Sequence, residues 1–402
     1  MAKKKKRKLK LTKFGVVLFA FLLFVLCLVC LFFLEKDINS IKNSEKNNNT
    51  LEKDKFPKEY SAKVIMVGDA LIHASVYSDA LKSNDSYNFK PMLQYIKPIV
   101  PKYDLKYYNQ ETILGGKELG YSTYPQFNSP NEVGDAFLDA GFNLVSLANN
   151  HTMDKGEAGV LNSVNYWKSK KNVVYSGQWS SWEDRDQVHV YDINGISYAF
   201  FSYTVWTNGL ETPIGKEYLN NVYSDEKAAS DIAKVRDLVD VVIVAMHWGT
   251  EYSLDVSSMQ ENIANYLSSL GVNLIIGTHP HVVEPVEYIN DGKTFVIYSL
   301  GNFISAQVGM DRLTGLMMEV TIKKTVNADE SIVISIEEPK AELTYTYTDN
   351  YTKFRIYPYS KLDNTLLPNY MDYYEHYKNI VSSRYPELTW GLSGEWLYGN
   401  FK

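Results

Sequence analysis

Residues 241–249 read Val-Val-Ile-Val-Ala-Met-His-Trp-Gly: an unbroken apolar run, then a histidine and a turn. A run without polar alternation is what a strand covered on both faces requires. The same pattern recurs on either side. Val64–Val67 ends in Gly68-Asp69, with His73 four residues on. Asp104–Asn109 continues into Gln110-Glu111, and Asn143–Ala148 into Asn149-Asn150-His151, with Asp154 and Gly156 beyond. Ile196–Tyr203 is a further strand. Asn273–Ile276 runs into Gly277-Thr-His279-Pro-His281, and Phe295–Tyr298 into Ser299-Leu-Gly-Asn302-Phe303. Between these strands lie helical stretches: Asn131–Ala140 closed by Gly141, Glu157–Lys170, Asp225–Val239, and Ser257–Leu270 closed by Gly271. A glycine just past a helix supplies the left-handed cap. Strand–helix alternation predicts a layered α/β fold over residues 61–325.

In open α/β sheets ligands bind outside the carboxyl ends of the strands, so these polar clusters are expected to converge. Of the chain's seven histidines, His73, His151, His247, His279 and His281 fall in them. His189 and His376 do not, and read as packed or surface residues. Carboxylate, imidazole and amide oxygen together suit borderline divalent ions such as manganese, iron or zinc. A two-metal site needs a bridging carboxylate and terminal imidazoles with the ions about 3.5–4 Å apart. His279 and His281, two apart on a loop, are placed for one to face each ion.

Composition excludes several classes. The chain has 402 residues, 45% hydrophobic and 22% charged, values of an ordinary globular body. Its two cysteines, Cys27 and Cys30, both lie in one apolar run, which excludes a disulfide framework and a zinc–thiolate site. Eight of the 41 basic residues sit in residues 1–13, so the remaining 33 face 47 acids, a net of −14. Such a body does not present a nucleic-acid-binding face.

Phe14–Leu34 is uncharged and apolar throughout. A membrane span needs roughly 20 such residues, and the run exceeds a signal-peptide core with no A-x-A site after it. It reads as an uncleaved signal anchor at 14–34. By the positive-inside rule the basic segment 1–13 stays cytoplasmic and the body lies outside, a single-pass arrangement in the cell membrane. Residues 35–60 are polar and aperiodic, and read as a flexible linker. Beyond 325 the texture changes. Ile332–Ile336, Leu343–Tyr347 and Phe354–Tyr357 read as strands and Tyr370–Ser382 as a helix, with Trp390 and Trp396 near the end. Residues 326–402 are expected to extend a sheet and cap it, their aromatics in the core.

The ordered set Val-Gly68-Asp69, Asn109-x-Glu111, Leu147-Ala-Asn-Asn-His151-x-x-Asp154-x-Gly156, His247-Trp-Gly-x-Glu-Tyr252, Gly277-Thr-His-Pro-His281-Val-Val-Glu-Pro285 and Ser299-Leu-Gly-Asn-Phe303 resembles the CapA family of poly-γ-glutamate capsule synthesis proteins. That family is similar to the calcineurin-like metallophosphoesterases. The resemblance implies a four-layer α/β/β/α metallophosphatase-like sandwich behind the transmembrane helix. It implies one metal on Asp69 and His281, with His73 as an added ligand, a bridging Glu111, and a second metal on Asn150, His247 and His279. His151 would act as general acid, oriented by Asp154. Glu251 and Glu284 either orient ligating imidazoles or bond loop backbone, and Asn302 either meets substrate or serves a turn. Three functions stay open. One is synthesis or export of an anionic polymer alongside the synthase subunits at the membrane. The second is a metal-dependent ecto-hydrolase acting on phosphoester or amide bonds, and the third a non-catalytic scaffold.

Overall fold

The computed structural model describes the backbone of residues 13–53, the side chains of 14–42, and all of 56–392. The basic segment up to Thr12 and Trp396 lie outside the described residues. The chain divides into two units, Met1–Lys58 with Val326–Ile332, and Glu59–Thr325 with Val333–Lys402.

In the first unit, α1 (Lys13–Lys53) contains within Phe14–Lys42 a stretch that is long and apolar enough to cross a membrane. The helix runs on to Lys53, where the sequence pattern suggested an irregular linker. Residues 35–53 hold neither proline nor glycine, so nothing in the covalent chain stops helix propagation there.

The second unit is built on two sheets taken in chain order. The first sheet begins with β1 (Lys58–Ala70), β2 (Leu105–Asn109), β3 (Leu144–Ser146) and β4 (Val174–Ser176). The second takes the next six strands: β5 (Tyr191–Ile193), β6 (Ile196–Thr204), β7 (Val241–His247), β8 (Leu274–Thr278), β9 (Val286–Ile289) and β10 (Thr294–Ile297). The chain then returns to the first with β11 (Asn302–Ile304), β12 (Thr314–Val326), β13 (Ile332–Asp349), β14 (Thr352–Pro358) and β15 (Thr389–Trp390). The spatial orders are β14-β13-β12-β1-β2-β3-β4, with β11 on β1 and β15 on β13, and β5-β6-β7-β8-β10-β9. β1 to β4 pair in parallel, as do β6, β7, β8 and β10, so their carboxyl ends share one edge of each sheet.

The helices are α2 (Ala74–Ala80), α3 (Glu132–Ala140), α4 (Gly156–Lys168), α5 (Trp182–Asp186), α6 (Asp225–Ala233), α7 (Ser258–Ser269), α8 (Met310–Leu313) and α9 (Tyr370–Val381). Strand parity sorts the core into layers. Ile243 and Ala245 of β7 join Val64 and Met66 of β1 between the sheets. Val242, Val244 and Met246 face Ile232 of α6 and Leu267 of α7. On the far side Ile65 and Val67 of β1 pack on Phe137 of α3 and Trp167 of α4. The result is the four-layer α/β/β/α sandwich.

The segment after residue 325 is integral to this body. β13 and β14 extend the first sheet, and Tyr345, Tyr374 and Tyr377 are buried in the inter-sheet core. Several short strands had no sequence signal. β4, β5 and β11 are each three residues long, too short for a period to register.

Candidate metal centre

Register brings the strand ends together. Asp69 lies opposite Asn109 on one side and Asn302 on the other, and His247 lies opposite Thr278. The register of β1 slips at Asp69 against both neighbours, a bulge that re-aims the carboxylate. Two groups of ligand atoms result, each with all atoms within 4.8 Å of one another: Asp69, Glu111 and His281, and Glu111, His247 and His279. Glu111 belongs to both. Its carboxylate is fully buried, and neither oxygen has a hydrogen-bond partner. Burial without donors pushes its pKa well up, and Asp69 adds to this while His281 opposes it. A buried carboxylate with no donor is costly unless a cation meets it, and the donor set is that of a borderline divalent ion. The residues therefore fit the metal that the motifs imply.

The imidazoles are fixed from behind. The Nδ1 of His247 sits 3.0 Å from the Thr278 hydroxyl, leaving Nε2 toward the site. That Nε2 is 2.9 Å from Asn150 Oδ1, 3.1 Å from His279 Nδ1 and 3.7 Å from Glu111 Oε1. The Nδ1 of His281 lies 3.1 Å from Asn302 Oδ1, and its Nε2 is 3.6 Å from Glu111. Both loop histidines have positive φ, +99° for His279 and +61° for His281, on either side of Pro280. Non-glycine residues held there carry strain, and such strain concentrates at functional sites.

The protonation tendencies match the geometry. Burial, aided by its histidine neighbours, drives His247 well below the ordinary imidazole range and His279 down to about 3. Burial also pulls on His281, but the Glu111 and Asp69 carboxylates outweigh it and lift the ring to about 9. The site thus demands positive charge at one point and neutral imidazole at another.

His151 stands on the wall of a cleft of about 490 Å³. Its Nδ1 is 2.8 Å from Asp154 Oδ2, which also accepts the Phe127 N–H at 2.6 Å. His73 is placed differently from the expectation of an added ligand. Its Nδ1 is engaged by backbone, 3.2 Å from Ala306 N and 3.1 Å from Leu71 O, and it belongs to neither ligand group. Phe127 lies edge-on to both His73 and His151. The reason is local: His73 is extended and only caps α2, so no helical turn returns it toward Asp69.

The other singled-out residues separate. Asn302 holds His281. Glu284 is buried and accepts from Gln260 Nε2 at 2.6 Å, tying the histidine loop to the first turn of α7 and not to an imidazole. Burial raises its pKa to about 8, although the Gln260 bond opposes this. Glu251 is exposed on the cleft rim. The structure gives the motif residue Asn109 a role: its Nδ2 donates to Asp69 Oδ1 at 2.7 Å while its Oδ1 accepts from the Ser146 hydroxyl, also at 2.7 Å. Strand parity with Tyr107 was the available signal, since Tyr107 OH meets the same Ser146 hydroxyl at 2.8 Å.

Fold and site together define a four-layer α/β protein with paired carboxylate–imidazole groups sharing one acid. The family model described as bacterial capsule synthesis protein PGA_cap matches residues 63–307, and the chain belongs to that family. It is similar to the PGA biosynthesis protein CapA of Bacillus subtilis (strain 168), 25% identical over 284 residues, covering 66% of this chain and 72% of the relative. It is also similar to the capsule biosynthesis protein CapA of Bacillus anthracis, 27% identical over 251 residues, covering 60% of this chain and 59% of the relative. Among solved structures, a phosphatase from Mycoplasma pneumoniae covers 77% of this chain and 99% of its own at 16% identity and TM-score 0.44. A 5′-nucleotidase from Staphylococcus aureus covers 78% and 58% at 15% identity and TM-score 0.45.

Proposed function

We propose that this protein is anchored in the cell membrane by the apolar part of α1 and serves synthesis or export of an anionic surface polymer, poly-γ-glutamate, from outside the cell. Its body binds one or two divalent ions. Asp69 and His281 would hold one, and Asn150, His247 and His279 the other, with Glu111 common to both groups. The observation that carries this reading is the double membership of the buried, unpartnered Glu111 in both ligand groups. A body at net −14 repels a polyanion, and bound cations offset that repulsion where the two must meet.

When bound, the ions supply Lewis acidity toward a carbonyl or phosphoryl oxygen. The chain's own residues do the rest. Thr278 and Asn302 fix the imidazoles, and Asn109 fixes Asp69. His151, its ring oriented through Nδ1 by Asp154, lines the cleft, where it is placed to pass a proton to a leaving group. This dyad favours a second reading, a metal-dependent hydrolase of phosphoester or amide bonds at the cell surface.

The test is elemental analysis of the purified protein beside an Asp69→Ala, His279→Ala double variant. One or two transition-metal equivalents, lost in the variant, are expected. A wild type that stays empty after incubation with manganese, zinc and iron refutes the site and leaves a scaffold that recruits synthase subunits. In cells, His151→Ala should abolish surface polymer if hydrolysis serves export, and leave it unchanged if metal binding alone matters.

A further inference from the structure

The cleft does not end at the metal centre. On the His281 side it is the volume of about 490 Å³ that His151 lines. On the His279 side a second recess of about 620 Å³ opens beside Trp206. Glu251 and Asn208 line both, so the ligand groups lie at the floor of a groove with two arms. Neither arm has a lysine or arginine among its lining residues. Against the ring of Tyr252, however, stands Arg312. Its guanidinium lies 4.8 Å from the centroid of the Tyr252 ring, and Tyr252 lines that arm.

Tyr252 is held there at a cost. Its φ is +68°, a conformation that bulky residues rarely adopt, and the residue is 46% exposed. Its N–H donates to Pro280 O, between the two loop histidines. Gln307 Nε2 donates to its hydroxyl at 3.3 Å. Asn302, which holds His281, donates through Nδ2 to both Gln307 Oε1 and Arg312 O. One amide thus locks a metal-facing imidazole, the glutamine on Tyr252 and the backbone of Arg312 into a single unit. Among the described residues no carboxylate forms an ion pair with Arg312, although acids outnumber bases across the body.

We propose that Arg312, stacked on Tyr252, is the subsite that takes an anionic group of the substrate on the His281 arm. The proposal rests on the reading of the cleft as a substrate site. A stacked guanidinium keeps its planar donors free for a carboxylate or phosphate oxygen. The opposite arm is lined by Trp206 and Glu211 and has no lysine or arginine.

The experiment uses the full chain in detergent. A short γ-linked glutamate oligomer and inorganic phosphate are titrated separately into wild type, Arg312→Gln and Arg312→Lys, with metal content measured on each. We expect Arg312→Gln to weaken oligomer binding about tenfold with metal content unchanged, and Arg312→Lys to fall between. Arg312-dependent binding of phosphate without oligomer binding keeps the anion subsite and refutes the polymer. Oligomer binding that ignores Arg312 overturns the subsite and keeps the polymer. Binding of neither probe by wild type overturns the subsite.

Discussion

Glu111 sets two requirements against each other. As a buried carboxylate without donors it destabilises the metal-free fold, and as the acid common to both groups it would, on the proposed reading, hold the two ions together. Glu111→Met, an apolar replacement of similar size, should lose bound metal by elemental analysis. The same variant, stripped of metal, should be about 1–3 kcal/mol more stable than stripped wild type in chemical denaturation. A variant that keeps its metal, or is less stable when stripped, contradicts the role. Most of the centre was readable at this scale, because Asp69, Glu111, His247, His279 and His281 each follow an apolar run. His73 was not, since its place depends on whether the chain turns after Asp69. The role of Asn109 and the placing of Arg312 against Tyr252 were not, because each depends on a neighbour brought close only by packing.

At the scale of elements, β1 reaches the site through a contact that has no room for a side chain. A Cβ on Gly68 would lie 1.8 Å from the carbonyl oxygen of Gly301, and Asp69 N donates to that same oxygen at 3.0 Å. Both partners are backbone, so neither yields. Gly68→Ala should cost about 3 kcal/mol or more, seen as a lowered denaturation midpoint or insoluble expression. Wild-type stability in that variant would mean the two strands are farther apart than described. β13 carries a different device. Glu342 is buried and accepts the Ser360 N–H at 3.0 Å, yet burial outweighs that bond and raises its pKa from 4.5 to about 7. A raised acid means the folded state holds the proton longer, so stability falls as pH rises from 4.5 through 7 and is not regained above it. Glu342→Gln should flatten that fall, by up to ~3 kcal/mol, in denaturation curves taken across the window. Identical pH dependence in both proteins would exclude Glu342 as the source.

For the whole molecule, charge and hydropathy are divided along the chain. The basic residues 1–13 precede an apolar helix, and an acidic body follows. On the proposed topology, protease added to intact cells should degrade the body and spare the first residues, and deletion of residues 1–34 should release the body from the membrane fraction. A body protected in intact cells would place it on the other side. A related expectation concerns salt. If bound cations carry the affinity for a polyanion, chelation should abolish binding, whereas raised ionic strength should only weaken it.

Apolar runs closed by glycine and acid determined by themselves that this chain makes doubly covered strands with polar ends, and the long uncharged run determined that one helix is fit for a membrane. Both are local properties, fixed by periodicity and composition. Only the tertiary structure decided that the last strands complete the first sheet beside β1, that His73 stays out of the ligand groups, and that Asn302 joins His281 to Arg312 and Tyr252. Sheet order and the bulge at Asp69 arise from pairing between segments far apart in the chain and leave no periodic trace within any one of them, while the place of His73 follows from the extended backbone after Asp69, which no periodicity marks.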